Sequence, residues 1–262
     1  MASRETPCCG GDGSGPFRSD FPEGDPDSGR MEVGSLLDAF DLRHALRGTH
    51  QADPGRIPPD QKATDQFPVL HAGPVPDIDL DTYRFRVGGL VEKPFEWSYE
   101  ELTSLPATTI TPDIHCVTGW SKLDTKWHGV RGHEVVQRCR PKEEARFVMV
   151  QAPNDWTANL PLEDLDRNDV VFAWEYDGKP LTPKHGWPLR LVVPHLYFWK
   201  SAKWVTGLEF MDHDEPGFWE KRGYHMRGDP WKEERYHDDV RPSAGTGQGV
   251  TFPSRLRLAA SV

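Results

Sequence analysis

A mainly β, α+β domain is what this sequence predicts, and three observations carry the prediction. Short runs rich in β-branched and aromatic residues recur through the middle of the chain, with only short amphipathic stretches between them. Glycine and proline are abundant, 24 of each, which demands many turns and argues against a helical bundle. All ten tryptophans fall between Trp97 and Trp231, so the aromatic mass of a core lies in one central block.

The chain divides accordingly. Residues 1–55 form a disordered or weakly ordered extension, with one short amphipathic pattern through Leu36, Leu37, Phe40 and Leu46. Residues 56–240 form the folded domain, and residues 241–262 a flexible tail. The tail's "GTGQG" has no strand before it and is not a phosphate loop.

Within the domain, "YRFRVGGLV" alternates Tyr83, Phe85 and Val87 against Arg84 and Arg86, a half-buried strand that turns at Gly88-Gly89. "SYEELTSLP" sets Ser98 three residues before Glu101, a capping box opening a short helix. "ATTITPDIHC" is β-branched and leads into Cys116. "GHEVVQRC" reads as a second short helix and "LPLEDL" as a helical turn. "RFVMVQA", "DVVFAWEY", "LRLVVPHLYF" and "KWVTGLEFMD" read as further strands.

The net charge of −10 disfavours non-specific nucleic-acid or membrane-surface binding, which needs a cationic face. No 18-residue apolar run exists, so no membrane span is expected. Four cysteines, at 8, 9, 116 and 139, make no disulfide framework, and the N-terminus shows no secretory leader. A cytoplasmic, reduced protein is the expectation.

Several motifs compete for function. "HEVVQ" at His133–Gln137 misses the second histidine that a zinc protease helix needs. A zinc site from Cys116, Cys139, His115, His128 and His133 stays open, although its spacings match no common finger or ribbon. A Cys116–His nucleophile pair meets the difficulty that neighbours on a strand face opposite ways, which turns His115 from the thiol. Cys139, on a short helix with Val135 and Val136, reads as structural. "HGWPLRLVVPHLYFWKSAKWV" carries Arg190, Lys200 and Lys203 among apolar strand residues. A turn at "WKSAK" would gather backbone N–H groups and two ammonium groups around a compact anion.

Taken together, "FPVLHAGPVP", "YRFRVGGLVEKP", "DIHCVTGWS", "TANLPLEDL", "GWPLRLVVPHLYFWKSAKWV" and "GFWEKRGYHMRGDPWKEERY" occur in this order from Phe67 to Tyr236. The chain thereby resembles the sulfite oxidase family of molybdopterin-dependent oxidoreductases, in particular its compact bacterial members, such as the catalytic subunits of the molybdopterin-type methionine sulfoxide reductases. The resemblance implies that family's α+β domain and a molybdenum-molybdopterin cofactor (Mo-MPT). It makes Cys116 the protein's single ligand to molybdenum, and a soft metal already held by two dithiolene sulfurs suits one further thiolate. It also implies pterin contacts from His185, Arg190, Ser201, Ala202 and Lys203, with Arg190 and Lys203 neutralising phosphate and Ser201 and Ala202 offering backbone donors. Leu70 and His71 correspond to a segment over the pterin.

The implied reaction is two-electron oxygen-atom transfer on a small-molecule substrate: reduction of an S-oxide or N-oxide, or a sulfite-like oxidation. Trp120, His195 and Tyr197 are expected to edge the pocket, with His195 and Tyr197 beside the chemistry. Electrons are expected from a separate haem or flavin protein. One departure concerns the basic residue that follows the cysteine in several relatives: here Val117, Thr118, Gly119 and Trp120 occupy that stretch. Lys122, Lys126 and Arg131 are the substitutes by proximity. Two further readings stand beside this one, a non-catalytic molybdopterin carrier and a zinc hydrolase.

Overall fold

The computed structural model describes residues 53–237; the amphipathic stretch at 31–48 and the tail lie outside them. Thirteen strands run along the described chain: β1 (Lys62–Ala63), β2 (Phe85–Gly89), β3 (Phe95–Trp97), β4 (Ala107–Ile110), β5 (Ile114–His115), β6 (Trp120–Lys122), β7 (Trp127–Arg131), β8 (Phe147–Gln151), β9 (Ala158–Pro161), β10 (Val171–Tyr176), β11 (Lys179–Pro180), β12 (Arg190–Val192) and β13 (Gly207–Met211). Three short α-helices interrupt them: α1 (Tyr99–Thr103), α2 (Gly132–Cys139) and α3 (Leu162–Leu165). The capping box forms as expected. Glu101 N–H donates to Ser98 Oγ, and the Ser98 N–H donates back to the Glu101 carboxylate.

Two five-stranded sheets make the body. One runs β3-β2-β13-β8-β9, with β2 and β13 parallel and the other pairs antiparallel. The other runs β11-β10-β7-β4, with β12 added beside β10. The alternation in "YRFRVGGLV" is realised, since Tyr83, Phe85 and Val87 are buried while Arg86 faces out to Glu96. The chain does not turn at Gly88-Gly89, however. Both stay in β2 and pair with β13.

The run "VVFAWE" shows why the second sheet sits centrally. Phe172 packs with Val130 and Phe85 in the main core, while Val171 and Ala173 point to the other face and join Trp127 and Val192 in a second, aromatic core. Phe85 and Phe172 meet at 5.4 Å. A strand buried on both faces loses its polar alternation. Close approach is needed here as well: a Cβ on Gly129 would lie 2.0 Å from the Phe172 carbonyl oxygen.

Two of the expected strands are cut short at a proline. "ATTITPDIHC" splits at Pro112 into β4 and β5. "LRLVVPHLYF" gives only β12 before Pro194, and the chain then winds into a 3₁₀ turn at Phe198–Lys200. In both, proline has no N–H to give a ladder. The small third sheet, β1-β6-β5, stands against the second core and carries Cys116 at its hairpin. Among the described residues no helix is long and apolar enough to cross a membrane.

Candidate functional site

The site begins at the β5–β6 hairpin. Cys116 N–H donates to Trp120 O at 2.8 Å and Gly119 N–H to Cys116 O at 3.0 Å, and Gly119 adopts φ +96°. This is a tight turn closed by a left-handed glycine. Gln61 clamps it from β1's side, its Nε2 donating to Cys116 O at 3.0 Å. The thiol is buried, and burial pushes its pKa up, against the opposing pull of Thr118, Arg235 and Arg190.

One cleft of about 220 Å³ opens at this thiol. Its walls bring together Cys116, Leu70, His71, His185, Arg190, Ser201, Ala202 and Lys203, all eight residues expected at a cofactor. They arrive from four separate stretches of chain. Arg190 leaves β12, and Ser201 to Lys203 follow the 3₁₀ turn that packs on it.

The cationic groups here have an unusual setting. Arg190 is buried, donates to His185 O at 2.9 Å and Ser201 O at 3.4 Å, and lies 4.1 Å over the Phe198 ring. Burial lowers its pKa to about 9, which leaves it charged near neutral pH. Lys203 Nζ donates to Leu70 O at 2.9 Å and Lys184 O at 3.0 Å and stands 4.5 Å over Trp204. Burial, then Arg190, holds its ammonium well below the usual lysine range. Among the described residues neither cation has a carboxylate in ion-pairing reach. Arg190 Nε, His185 Nε2 and Trp120 Nε1 are also buried on this cleft without a hydrogen bond of ordinary geometry. Buried donors and charges are normally paired, so such a set is built for an anionic, hydrogen-bond-accepting guest.

Several expectations need correction. Lys200 does not join Lys203 around an anion. The 3₁₀ turn points it inward, fully buried, where Nζ pairs with Glu220 at 2.7 Å and donates to Asn159 O, Asn159 Oδ1 and Met226 O. The N–H groups of Ser201 and Ala202 are not free donors either; they bond to Phe198 O and Lys200 O, and Ser201 Oγ accepts from Val193 N–H. His195 does not edge the cleft. Its Nε2 contacts Asp164 at 2.9 Å, which also takes both arms of Arg227. Tyr197 lies behind the wall rather than on it, stacked on Trp199 at 5.3 Å, with burial pushing its pKa to about 12. Trp120 does line the cleft.

The zinc and Cys–His readings find no support in the geometry. His115 Nδ1 pairs with Ser121 Oγ, His128 Nδ1 with Thr109 Oγ1, and His133 with Asp166. Cys139 Sγ bonds to Val136 O. Among the described residues no three or more His, Cys, Asp or Glu gather as metal ligands.

Sequence reasoning missed the far wall. Tyr224 and Tyr236, joined by an antiparallel bridge, face the cleft with Trp199, Phe218 and Trp219. Their phenols are pushed upward by burial, and Cys116 adds to the shift. The cation missing just after the cysteine arrives from 118 residues downstream, where Arg235 donates to Val117 O. Lys122 and Arg131 turn to Asp65 O and Thr108 instead. The aromatic density of "GFWEKRGYHMRGDPWKEERY" was the available signal for this wall.

Comparison with known proteins decides the family. The model of the oxidoreductase molybdopterin-binding domain matches residues 72–219, more than half of the chain. The chain belongs to this family. The oxidoreductase YuiH of Bacillus subtilis is 50% identical over 190 residues, covering 72% of this chain and 96% of that one. The catalytic subunit MsrP of a protein-methionine-sulfoxide reductase from Xanthomonas axonopodis is 31% identical over 151 residues, 52% of this chain and 47% of its own. Sulfite oxidase of Arabidopsis thaliana is 26% identical over 198 residues, 62% and 50%. The chain thus spans about half the length of these last two. The sulfane dehydrogenase SoxCD of Paracoccus pantotrophus has the same fold, with a TM-score of 0.51 over 77% of this chain and 58% of that one at 20% identity. The protein is therefore a molybdopterin-family oxidoreductase with the sulfite-oxidase-type domain, and the cleft's donor set fits that group.

Proposed function

We propose that this protein is a molybdenum-dependent oxygen-atom transferase that reduces small, uncharged S-oxides or N-oxides. The observation that carries the reading is the division of charge along the cleft. Lys203, His71 and Lys184 gather at one end, and Cys116, Tyr224 and Tyr236 at the other. Arg190 sits between, feeling both Lys203 and Cys116.

The cationic end suits the phosphate of Mo-MPT, with Lys203 and Arg190 as its counter-ions and His185 as a hydrogen-bonding neighbour. Burial holds the His185 pKa down to about 4, so the ring is neutral there and stacks on Phe67 at 4.5 Å. Leu70, His71, Ser201 and Ala202 shape the same wall. At the other end the Cys116 thiolate would take the metal. When bound, that centre supplies two-electron oxygen-atom exchange.

The substrate end is aromatic, and Arg235, whose charge reaches the Cys116 sulfur, has its Nη1 and Nη2 engaged by the Val117 and Pro59 carbonyls rather than aimed into the cleft. A sulfite dianion would need cations there; a neutral sulfoxide needs an apolar wall and an O–H donor. Tyr224 and Tyr236 keep their protons and can give a hydrogen bond to the departing oxygen. The balance is R₂SO + 2 H⁺ + 2 e⁻ → R₂S + H₂O. The electrons would come from a separate haem or flavin protein, with a basic face to match the net charge of −10. The free buried thiol of Cys139 suits a reducing, cytoplasmic setting.

The test is turnover by protein purified from a host that makes molybdenum cofactor. Reduced viologen with methionine sulfoxide or a dialkyl sulfoxide should give steady-state product. Oxidation of sulfite by ferricyanide, with no sulfoxide turnover, would overturn the proposed direction. Cofactor-loaded protein inactive in both assays would favour a carrier.

A further inference from the structure

We infer that Thr118 is a positioning residue that tunes the metal centre through the Cys116 sulfur. The inference rests on the reading above, in which that sulfur binds molybdenum. Thr118 Oγ1 donates to Cys116 Sγ at 3.1 Å. Both side chains line the cleft, so the hydroxyl sits where sulfur and guest meet.

The turn enforces this contact. Gly119 N–H closes back onto Cys116 O, and Gly119 takes the left-handed conformation that lets the chain reverse into β6. Thr118 is thereby held two residues past the cysteine, with its side chain folded back over the thiol. Gln61 fixes the same peptide from the other side. The hydroxyl is thus placed by backbone geometry before any guest arrives.

A hydrogen bond to a metal-bound thiolate withdraws electron density from the sulfur and weakens its donation to the metal. The more electron-rich, reduced metal is then favoured, so the bond raises the reduction potential. A reductase needs a centre that accepts electrons readily from its partner, and Thr118 would set that readiness through the Cys116 sulfur.

The experiment is an EPR-monitored redox titration of the Mo(V) signal in three loaded proteins: wild type, Thr118→Val and Thr118→Ser. Metal content is measured on each. Thr118→Val is nearly isosteric and lacks only the donor. It should hold molybdenum at the wild-type level and titrate at a more negative potential, with altered Mo(V) g-values. Thr118→Ser should titrate as wild type. An unshifted potential and unchanged g-values in loaded Thr118→Val would overturn this inference alone, leaving the functional reading intact. Equal shifts in Val and Ser variants would also overturn it, since packing rather than the hydroxyl would be responsible. Wild-type protein without molybdenum would remove the functional reading and this inference together.

Discussion

Replacing Lys200 by methionine should damage the fold and spare the cofactor's phosphate. Lys200 Nζ is fully buried, ion-paired to Glu220 at 2.7 Å and hydrogen-bonded to Asn159 and Met226. Without it, the Glu220 carboxylate keeps, among the described residues, only the Trp199 Nε1 side-chain donor at 2.8 Å, and the acceptor oxygens on Asn159 and Met226 lose a donor. Removing one partner of a buried ion pair costs about 3–5 kcal/mol. A domain of this size loses about 2–4 °C of melting temperature per kcal/mol, so Lys200→Met should melt roughly 6–20 °C lower. The double variant Lys200→Met/Glu220→Gln leaves no unpaired charge, keeps an acceptor for Trp199 and should recover most of the loss. Thermal unfolding of the apo-proteins by circular dichroism, checked by calorimetry, reads this directly. A Lys200→Met protein that melts like wild type but no longer retains pterin would refute the reasoning and return Lys200 to the anion site.

Lys203→Met should behave in the opposite way. Apo-protein stability should change little, because removing an uncompensated cation offsets the loss of its donors to Leu70 O and Lys184 O, while pterin retention should weaken roughly 10–100-fold, as one charge-assisted hydrogen bond predicts. Because Lys203 is held well below its unfolded pKa, wild-type apo-protein should gain stability with rising pH up to the usual lysine range, and Lys203→Met should lack that gain. His185 titrates near 4 in the fold against 6.5 when free, so its unfolded form binds more protons between these values. Apo-protein should therefore lose stability as pH falls from 6.5 towards 4, and His185→Gln should lose less over the same interval in matched melts.

Much of this arrangement was legible from the chain because it rests on local chemistry. The Ser98–Glu101 box, the alternation through Phe85 and Val87, and the isolated Cys116 between turn-forming residues each follow from neighbours in sequence. Lys200 and Lys203 were not separable that way. They are three residues apart on a tight turn, and only the position of Glu220 decides which of them points inward. His195 was misplaced for the same kind of reason, since its partners Asp164 and Arg227 come from distant segments. Arg235 and the Tyr224–Tyr236 wall reach Cys116 from more than 100 residues away, and no periodicity reports such a return. Thr118 lay in plain sight two residues from the cysteine, but its contact depends on Gly119 adopting positive φ, a fact of the turn rather than of composition.

The central claim is that Cys116 holds molybdenum in this cleft. Metal analysis by mass spectrometry, on wild type and Cys116→Ser purified side by side from a host that makes the cofactor, tests it most directly. The account predicts molybdenum near one per chain in the wild type and its loss or marked decrease in Cys116→Ser. Equal molybdenum in both proteins would contradict the assignment of Cys116, and zinc without pterin in the wild type would contradict the account as a whole.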